Sequence, residues 1–272
     1  MLPDGRTFYK MSGSGNDFIV VDATRESASA LMEPATVQSL CARGTGIGAD
    51  GLVLLERSAV ADYRMIYLNS DGSRADLCGN ASLCSARLAT ELGIVHGAEF
   101  RVETDAGILG ARLNAEGPEV DLQPVRDVRA SMPFRREPGE QWIGFATAGV
   151  PHLIVCVDDV ATVDVVQRGR ALRHDPSLAR GANVNFVSPD GEGGWLIRTY
   201  ERGVEGETLA CGTGSVATSI LLAEHRESGH TVTLRTRSGR VHRVRLTREN
   251  EGWCPSLSGE ARLVFKGKFG ER

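Results

Sequence analysis

The sequence predicts an α/β (α+β) protein with two pseudo-symmetric domains from an internal duplication, each a strand-rich wrap around a central helix. Three observations predict this fold. The chain has 272 residues, which is long for one hydrophobic core. Segments of its first half match segments of its second half at a nearly constant offset, and each half contains one helical segment with almost no charge.

The duplication is visible as pairs of segments that align, in the same order, at offsets of 132 to 134 residues. The pairs are "GNDFIVV" with "GVPHLIV", "GADGLVL" with "GANVNFV", "YLNSDG" with "YERGVE", "CGNASLCSARLATELG" with "CGTGSVATSILLAEHR", and "FRVETDAG" with "VTLRTRSG". A shared offset indicates a duplicated domain rather than a short solenoid repeat. We expect an N-terminal domain at 1–122, joined by 260–272, and a C-terminal domain at 123–259.

Strands and one central helix are predicted in each half. Short apolar runs such as "FIVVD" and "GLVLLE" are separated by Gly, Asp, Asn and Ser, a pattern typical of strands and turns. A helical segment follows Cys78 and another follows Cys211, and we expect them to end at left-handed caps on Gly93 and Gly229. Residues 214–223 carry no charge, so this helix must be enclosed by other elements.

Composition excludes several classes of protein. Hydrophobic residues make up 41%, charged residues 24%, and the net charge is −4, which is typical of a soluble globular protein without a nucleic-acid footprint. The N-terminus lacks the apolar stretch of a secretory signal, and no run approaches the ~20 apolar residues of a membrane helix. We therefore expect a cytoplasmic protein with no membrane partner.

The six cysteines are too scattered for a disulfide framework and form no Cys-x-x-Cys pair. Cys41, Cys84, Cys156 and Cys254 are interpreted as small buried apolar residues in the reduced state. Cys78 and Cys211 differ, because they occupy equivalent places in the two repeats and each stands before a helix.

A cysteine at a helix start suits proton transfer. The first amides of a helix are unpartnered and, with the macrodipole, favour an anion such as a thiolate or a substrate carboxylate; the pKa of a thiol there is lowered. Pseudo-symmetry predicts that Cys78 and Cys211 face one another. Two acid/base groups on opposite faces of one carbon are what stereochemical inversion requires, so the sequence predicts a racemase or an epimerase.

Six motifs resemble the diaminopimelate epimerase family, in that family's order and over nearly the whole chain. They are "MSGSGNDFIVVD", "GIGADGLVLLE", "NSDGSRADLCGN", "GVPHLIV", "GANVNFV" and "YERGVEGETLACGTG". The resemblance implies an epimerase that interconverts LL- and meso-diaminopimelate, on the route to lysine and peptidoglycan. It also implies that no cofactor is used and that the protein is a homodimer.

The resemblance also implies roles for individual residues. Cys78 and Cys211 match the family's acid/base pair, and His152 matches a histidine beside the thiols. Helix-start contacts to the substrate α-carboxylate fall on Gly79, Asn80, Gly212 and Thr213. Positions that hold the amino and distal groups of the substrate are Asn16, Asn69, Asn183, Glu201 and Arg202. Arg202 suits this role because a guanidinium can donate two parallel hydrogen bonds to one carboxylate.

Three positions depart from the family's common pattern. Ala81 replaces a glycine, Leu83 replaces an arginine, and Val150 replaces an asparagine that contacts the distal end of the substrate. The motif "ERGVEGE" is one residue longer than the common form. These departures leave open a related racemase that acts on another amino acid.

Other chemistries fit the sequence less well. The glycines of "GIGADG" have dinucleotide-binding spacing, but a predicted helix precedes them and a strand follows, so we interpret them as a turn. Pyridoxal chemistry needs a Schiff-base lysine, and the lysines, Lys10, Lys266 and Lys268, lie near the termini. A zinc site at His225 and His230 lacks suitably spaced cysteines. A thiol redox enzyme or an amino-acid-binding protein remains the alternative from another class.

Overall fold

The computed structural model describes residues 5–249 and 252–270. Residues 1–4, 250–251 and 271–272, which the predicted domain ranges include, lie outside the described residues. The chain divides into two compact units: unit 1 is Met1–Asp121 with Ser258–Arg272, and unit 2 is Leu122–Leu257. Over the described ranges, no helix is long and apolar enough to cross a membrane.

The elements are numbered in chain order. The helices are α1 (Pro34–Cys41), α2 (Gly79–Glu91), α3 (Val165–Arg173) and α4 (Gly212–Glu224), with short 3-10 helices at Ser29–Met32 and Val160–Thr162. The strands are β1 (Thr7–Gly13), β2 (Asn16–Asp22), β3 (Gly51–Glu56), β4 (Tyr63–Asn69), β5 (Arg74–Ala75), β6 (Glu99–Thr104), β7 (Gly107–Asn114), β8 (Gly117–Asp121), β9 (Val128–Arg129), β10 (Glu140–Ala148), β11 (Val150–Val157), β12 (Asn183–Pro189), β13 (Trp195–Glu201), β14 (Gly206–Thr208), β15 (Thr231–Arg235), β16 (Val241–Glu249), β17 (Gly252–Gly259) and β18 (Arg262–Lys268).

Both units pair their strands in the same order. In unit 1, β1–β2 is antiparallel, β2–β3 parallel, β3–β4 antiparallel, β4–β6 parallel and β6–β7 antiparallel. In unit 2, β10–β11, β11–β12, β12–β13, β13–β15 and β15–β16 repeat that series of antiparallel and parallel pairs. The predicted α+β fold with an internal duplication is confirmed.

A buried helix lies at the centre of each unit. In unit 1, α2 contacts β1, β2, β3, β4, β7 and β8, and in unit 2, α4 contacts β10, β11, β12 and β16. Ten of the thirteen residues in each helix are buried. The prediction of one enclosed helix per repeat is confirmed, and each helix begins directly after a cysteine.

A second helix covers the other face of the strands in each unit. Alternate strand residues point to opposite faces, so one set meets the central helix and the other set meets α1 or α3. In unit 1, Ile19 and Leu52 pack with Val37 and Leu40 of α1. In unit 2, Leu153 and other strand residues pack with α3. Burying each such side chain contributes about 1.5–3 kcal/mol, which fixes the strand register beside the central helix.

The glycine-rich segment before β3 is a turn, as predicted. Helix α1 ends at Cys41 and β3 begins at Gly51, so the glycines lead from a helix into a strand. Gly48 has φ +76, and a Cβ on Gly46 would lie 2.1 Å from the Ser39 carbonyl oxygen. These two glycines are required by the tight path of the chain.

The predicted helix caps are half right. Gly93 is left-handed, with φ +67, and closes α2. After α4 the left-handed residue is Arg226, with φ +59, and not Gly229. The hydrogen bonds from Arg226 N to Ala223 O and from Glu227 N to Leu222 O repeat those after α2, 133 residues earlier. Packing of the central helix sets where it ends, and the next glycine lies three residues too far along.

Replacing Arg226 with glycine is expected to stabilise the protein. The left-handed conformation costs a non-glycine residue about 1–2 kcal/mol, and the greater unfolded-state entropy of glycine offsets part of that gain. We expect the free energy of unfolding to rise by about 0.5–1 kcal/mol, measured by urea unfolding. The matched variant Gly93→Arg should lower it. If Gly93→Arg lowers the urea midpoint of unfolding and Arg226→Gly leaves it unchanged, Arg226 is not the left-handed cap of α4.

Candidate active site

The two cysteines before the central helices have the same backbone geometry. Cys78 is extended, with φ −134° and ψ 117°, and Cys211 has φ −136° and ψ 110°. In each repeat the residue four positions after the cysteine donates its backbone N–H to the cysteine carbonyl. Ser82 N donates to Cys78 O at 2.9 Å, and Ser215 N donates to Cys211 O at 3.0 Å. Each thiol therefore occupies the N-cap position, where the following helix amides have no partner within the helix.

The first turn of α2 is held by two asparagines. Asn80 Nδ2 donates to Asn16 Oδ1 at 2.7 Å, and Asn16 Nδ2 donates to Asp50 Oδ2 at 3.0 Å. The carboxylate accepts only, so it fixes which way the Asn16 amide points. Asn16, Asn80 and Cys78, all predicted as site residues, are thus brought together in unit 1.

A charged network behind Asn16 escaped the sequence analysis. Lys10, which is buried, pairs with Asp17 at 2.6 Å, and Arg43 donates to both Asp17 and Asp50. Burial acts to raise the pKa of Asp17, but hydrogen bonds from Arg43 and Lys10 outweigh it and the pKa is lowered. The network keeps Asp50 in place for Asn16. The signal in the sequence was one aspartate after each of two glycine-rich segments, Asp17 after "GSGN" and Asp50 after "GIGA".

Asn69 lies at the same edge of the unit 1 strands. Register places Phe18 and Asn69 on either side of Gly51, so the start of β2 and the end of β4 are neighbours of the start of β3. Asn69 Nδ2 donates to Ser73 Oγ at 3.0 Å within the turn that follows β4. Asn69, at the end of β4, and Asn16, at the start of β2, therefore lie at the same end of the unit 1 strands.

In unit 2, the Cys211 thiol is linked to a buried histidine. Cys211 Sγ lies 3.5 Å from Thr213 Oγ1, and Thr213 Oγ1 lies 3.1 Å from His152 Nε2. His152 is fully buried, and burial, followed by the charge of Arg202, lowers its pKa to about 3. The ring is neutral at physiological pH, so His152 serves as a hydrogen-bonding group and not as a cationic partner of the thiolate.

Asn183 and Arg202 are joined through the backbone. Asn183 Oδ1 accepts from Arg202 N at 2.8 Å, and β11–β12 pairing places His152 beside Asn183. Glu201 accepts from Thr208 Oγ1 at 2.8 Å. The predicted site residues of unit 2 therefore lie around the start of β12, the end of β13 and the start of α4.

The additional residue in the loop before Cys211 anchors that loop. Glu205 has φ +56, and its carboxylate accepts hydrogen bonds from Gly203 N and the Tyr200 hydroxyl. It also pairs with Arg173, at the end of α3. The hydrogen bond from Gly203, helped by Tyr200 and Arg173, holds the pKa of Glu205 below its usual value. The additional residue in "ERGVEGE" indicated a longer loop, and the structure shows that the contacts of Glu205 hold this loop in place.

All six cysteines are described, and none of them forms a disulfide. Cys41, Cys84 and Cys156 are buried and Cys254 is half-buried. Burial raises the pKa of Cys41 to about 11 and that of Cys156 to about 12, so neither thiol ionises readily. Among the residues that the structure describes, no cluster of His, Cys, Asp and Glu could hold a metal ion, and His225 stacks on Trp142 with ring centroids 4.1 Å apart.

Solved structures with this fold are similar over nearly the whole chain. The chain aligns with a phenazine biosynthesis protein of the PhzF family from Bacillus anthracis with a TM-score of 0.74 and 17% identity, covering 97% of this chain and 98% of the other. It aligns with a hydroxyproline epimerase from Agrobacterium vitis with a TM-score of 0.69 and 17% identity, covering 98% and 92%. At this identity the likeness shows the fold.

Sequence relatives are far more similar. The family model described as diaminopimelate epimerase matches twice, at residues 8–128 and 144–264, once in each repeat. A diaminopimelate epimerase from Gemmatimonas aurantiaca is 46% identical, with 97% of this chain and 99% of the relative covered, and one from Aquifex aeolicus is 39% identical, with 97% and 98% covered. The chain belongs to the diaminopimelate epimerase family.

Proposed function

We propose that the protein is a cofactor-independent two-cysteine epimerase that interconverts LL-diaminopimelate and meso-diaminopimelate, a step in the formation of lysine and of peptidoglycan precursors. One observation carries the proposal. In a chain of this family, each repeat places a cysteine at the N-cap of its buried central helix with the same backbone geometry. The function needs two equivalent acid/base groups, and the matching placement of one cysteine in each repeat supports these roles for Cys78 and Cys211.

Cys78 and Cys211 act as the acid/base pair. One thiolate takes the α-proton, so that the C–H bond breaks and an S–H bond forms. The other thiol then gives its proton to the opposite face of the α-carbon, and its sulfur becomes the thiolate. The net charge of the pair is unchanged and the configuration at carbon is inverted. The reverse reaction uses the two sulfurs in exchanged roles.

The helix starts stabilise the intermediate. Gly79 and Asn80 in unit 1, and Gly212 and Thr213 in unit 2, carry backbone N–H groups in the first turn of a helix, where no carbonyl of the helix is available to them. Donated to the α-carboxylate, these groups and the helix dipoles stabilise the negative charge that develops as the proton leaves. No electron sink from a cofactor is needed in this scheme.

Specificity for diaminopimelate rests on groups beyond the reacting carbon. The Arg202 guanidinium holds a carboxylate, while Asn16, Asn69, Asn183 and Glu201 provide oxygens for the substrate ammonium groups. Among the described residues, the hydrogen bond of the Arg202 side chain is to the Arg180 carbonyl, at 3.3 Å. Its remaining N–H groups are available to a ligand.

We further propose the organisation of the protein in the cell. The two repeats act as domains, 1–122 joined by 260–272 and 123–259, which the bounds of the two compact units support. A cytoplasmic location is supported by the biosynthetic role of the family, and a homodimer by the same resemblance. Size-exclusion chromatography with light scattering tests the dimer.

Exchange of the α-proton tests the function. In D₂O, with a metal chelator and no added cofactor, we expect the protein to interconvert LL- and meso-diaminopimelate and to introduce deuterium at the α-carbon, followed by NMR. Exchange into hydroxyproline or another amino acid, with none into diaminopimelate, would instead show a related racemase. No exchange with any amino acid would favour a redox enzyme or a binding protein and would overturn the proposal.

A further inference from the structure

A buried polar chain behind Cys211 begins at a backbone carbonyl. Asn185 is fully buried on β12, and its Nδ2 lies 3.1 Å from Leu153 O. A carbonyl oxygen only accepts, so the amide nitrogen, and not the amide oxygen, must face it. The other end agrees, since Asn185 Oδ1 accepts from the Thr199 hydroxyl at 3.0 Å. The orientation of the Asn185 amide is therefore determined.

That orientation decides the protonation of the histidine ring. Asn185 Nδ2 also lies 3.1 Å from His152 Nδ1. An amide nitrogen has no acceptor lone pair, so His152 Nδ1 must accept and carries no hydrogen. A neutral imidazole then has its hydrogen on Nε2. This N–H donates to Thr213 Oγ1, 3.1 Å away.

The hydrogen bond from His152 determines which atom the Thr213 hydroxyl can donate to. Because Thr213 Oγ1 already accepts from His152, its own hydrogen is free for the atom on the other side, Cys211 Sγ, at 3.5 Å. A hydroxyl that donates to sulfur stabilises the thiolate over the thiol, since hydrogen bonds to a charged acceptor are the stronger ones. The opposite tautomer of His152 would draw the Thr213 hydrogen away from the sulfur.

We propose that Asn185 is a positioning residue which fixes the His152 tautomer, so that the Thr213 hydroxyl donates to the sulfur of Cys211. The inference rests on the proposed function and adds to it residues outside the predicted site: Asn185, with Thr199 and the Leu153 carbonyl behind it. In this role Asn185 acts on the thiol through His152 and Thr213.

Close packing keeps the amide in place. A Cβ on Gly214, in the first turn of α4, would lie 2.3 Å from Asn185 Oδ1. The absence of a side chain at this position lets the amide approach the helix start. Neither end of the Asn185 side chain can turn without losing its bond to Leu153 or to Thr199.

The described residues of unit 1 contain no equivalent of this hydrogen-bonded chain. The sequence repeat aligns His152 with Phe18, and the matching strand pairs, His152 with Asn183 and Phe18 with Gly51, place Val53 at the position of Asn185. Both are buried and neither has a hydrogen-bonding side chain. The hydrogen-bonded chain from Asn185 to Thr213 therefore serves Cys211, and among the described residues the two thiols differ in their surroundings although their backbones match.

The tautomer can be read in the wild-type protein. Long-range ¹H–¹⁵N spectra distinguish a ring nitrogen that carries a hydrogen from one that does not, and the His152 signal is assigned by its loss in His152→Phe. Because the pKa of His152 is about 3, a neutral ring is expected throughout pH 6–8. We expect hydrogen on Nε2. Hydrogen on Nδ1 overturns the proposal without any variant of Asn185.

Alkylation then tests the effect on the thiol. Iodoacetamide labels the free protein at one pH, and peptide mass spectrometry gives the rates at Cys211 and at Cys78, which is the internal reference. We expect Asn185→Leu, which removes the donor to His152 with little change in volume, to lower the Cys211/Cys78 rate ratio about tenfold. Ser219→Ala is the matched control, because Ser219 is buried in α4 and donates only to Ser215 O.

The outcomes separate this inference from the proposed function. A ratio that falls in Asn185→Leu and stays constant in Ser219→Ala supports the chain. A ratio that stays constant in Asn185→Leu, including one where both rates fall together, overturns it, as does an equal fall in the control. Labelling needs no substrate, so the test stands even if diaminopimelate is not epimerised.

Discussion

Replacing Cys78 with serine, or Cys211 with serine, is expected to abolish the interconversion of LL- and meso-diaminopimelate. A thiol with a pKa near 8.5 ionises to a useful extent at neutral pH, whereas a serine hydroxyl does not. Loss of either acid/base group should lower kcat by about a thousandfold, within the usual range for general acid–base catalysis. The measurement is kcat in both directions, by NMR or polarimetry.

The serine variants should remain folded. Both cysteines are N-cap residues with no side-chain cap bond, and serine is a preferred residue at that position. We expect urea midpoints close to wild type. Cys254→Ser is the matched control, because Cys254 is half-buried on β17 and outside the proposed site, and its kcat should be retained. A Cys211→Ser or Cys78→Ser variant with near-normal kcat would remove the two-thiol mechanism.

The duplication and the central helices could be predicted because their signals are local and occur twice. An uncharged helical run has one physical solution, enclosure by other elements, and α2 and α4 are enclosed. The two cysteines were predicted to be site residues by the same logic, since a thiol directly before such a helix meets its unpartnered amides. The sequence supplies these relations within a few residues of Cys78 and Cys211.

Contacts between distant residues could not be predicted in this way. Lys10, Asp17, Arg43 and Asp50 form one network, but nothing local to any of them names its partners. Asn185 likewise lies in the segment "NVNFV". The Val and Phe residues of this segment predict a buried strand, but they do not predict a hydrogen bond from Asn185 to His152. Such pairings depend on strand register, which is fixed by the packing of whole units.

One local signal was outweighed by tertiary structure. Glycine is the preferred residue at a left-handed helix end, and Gly229 lies shortly after α4. The helix nevertheless ends with Arg226 in the left-handed conformation, because the repeat places the end of α4 where α2 ends. Packing around a central helix is worth more than the roughly 1 kcal/mol at stake in a cap.

Replacing Arg202 with lysine is expected to lower kcat/KM for diaminopimelate by about a hundredfold, because an ammonium cannot donate the two parallel hydrogen bonds of a guanidinium and each charge-assisted bond is worth ~1.5–3 kcal/mol. The effect should fall mainly on KM. Lysine keeps the positive charge near His152 and the backbone hydrogen bond from residue 202 to Asn183. The substitution therefore removes the two parallel hydrogen bonds and leaves the charge.

Arg180→Lys is the control, since Arg180 is exposed and contributes its carbonyl to Arg202. Its kcat/KM should stay within about twofold of wild type, a smaller change than the loss of even one charge-assisted hydrogen bond would cause. If Arg202→Lys behaves like Arg180→Lys, Arg202 does not hold a substrate carboxylate, and the preference for a substrate with two amino-acid ends must come from other residues.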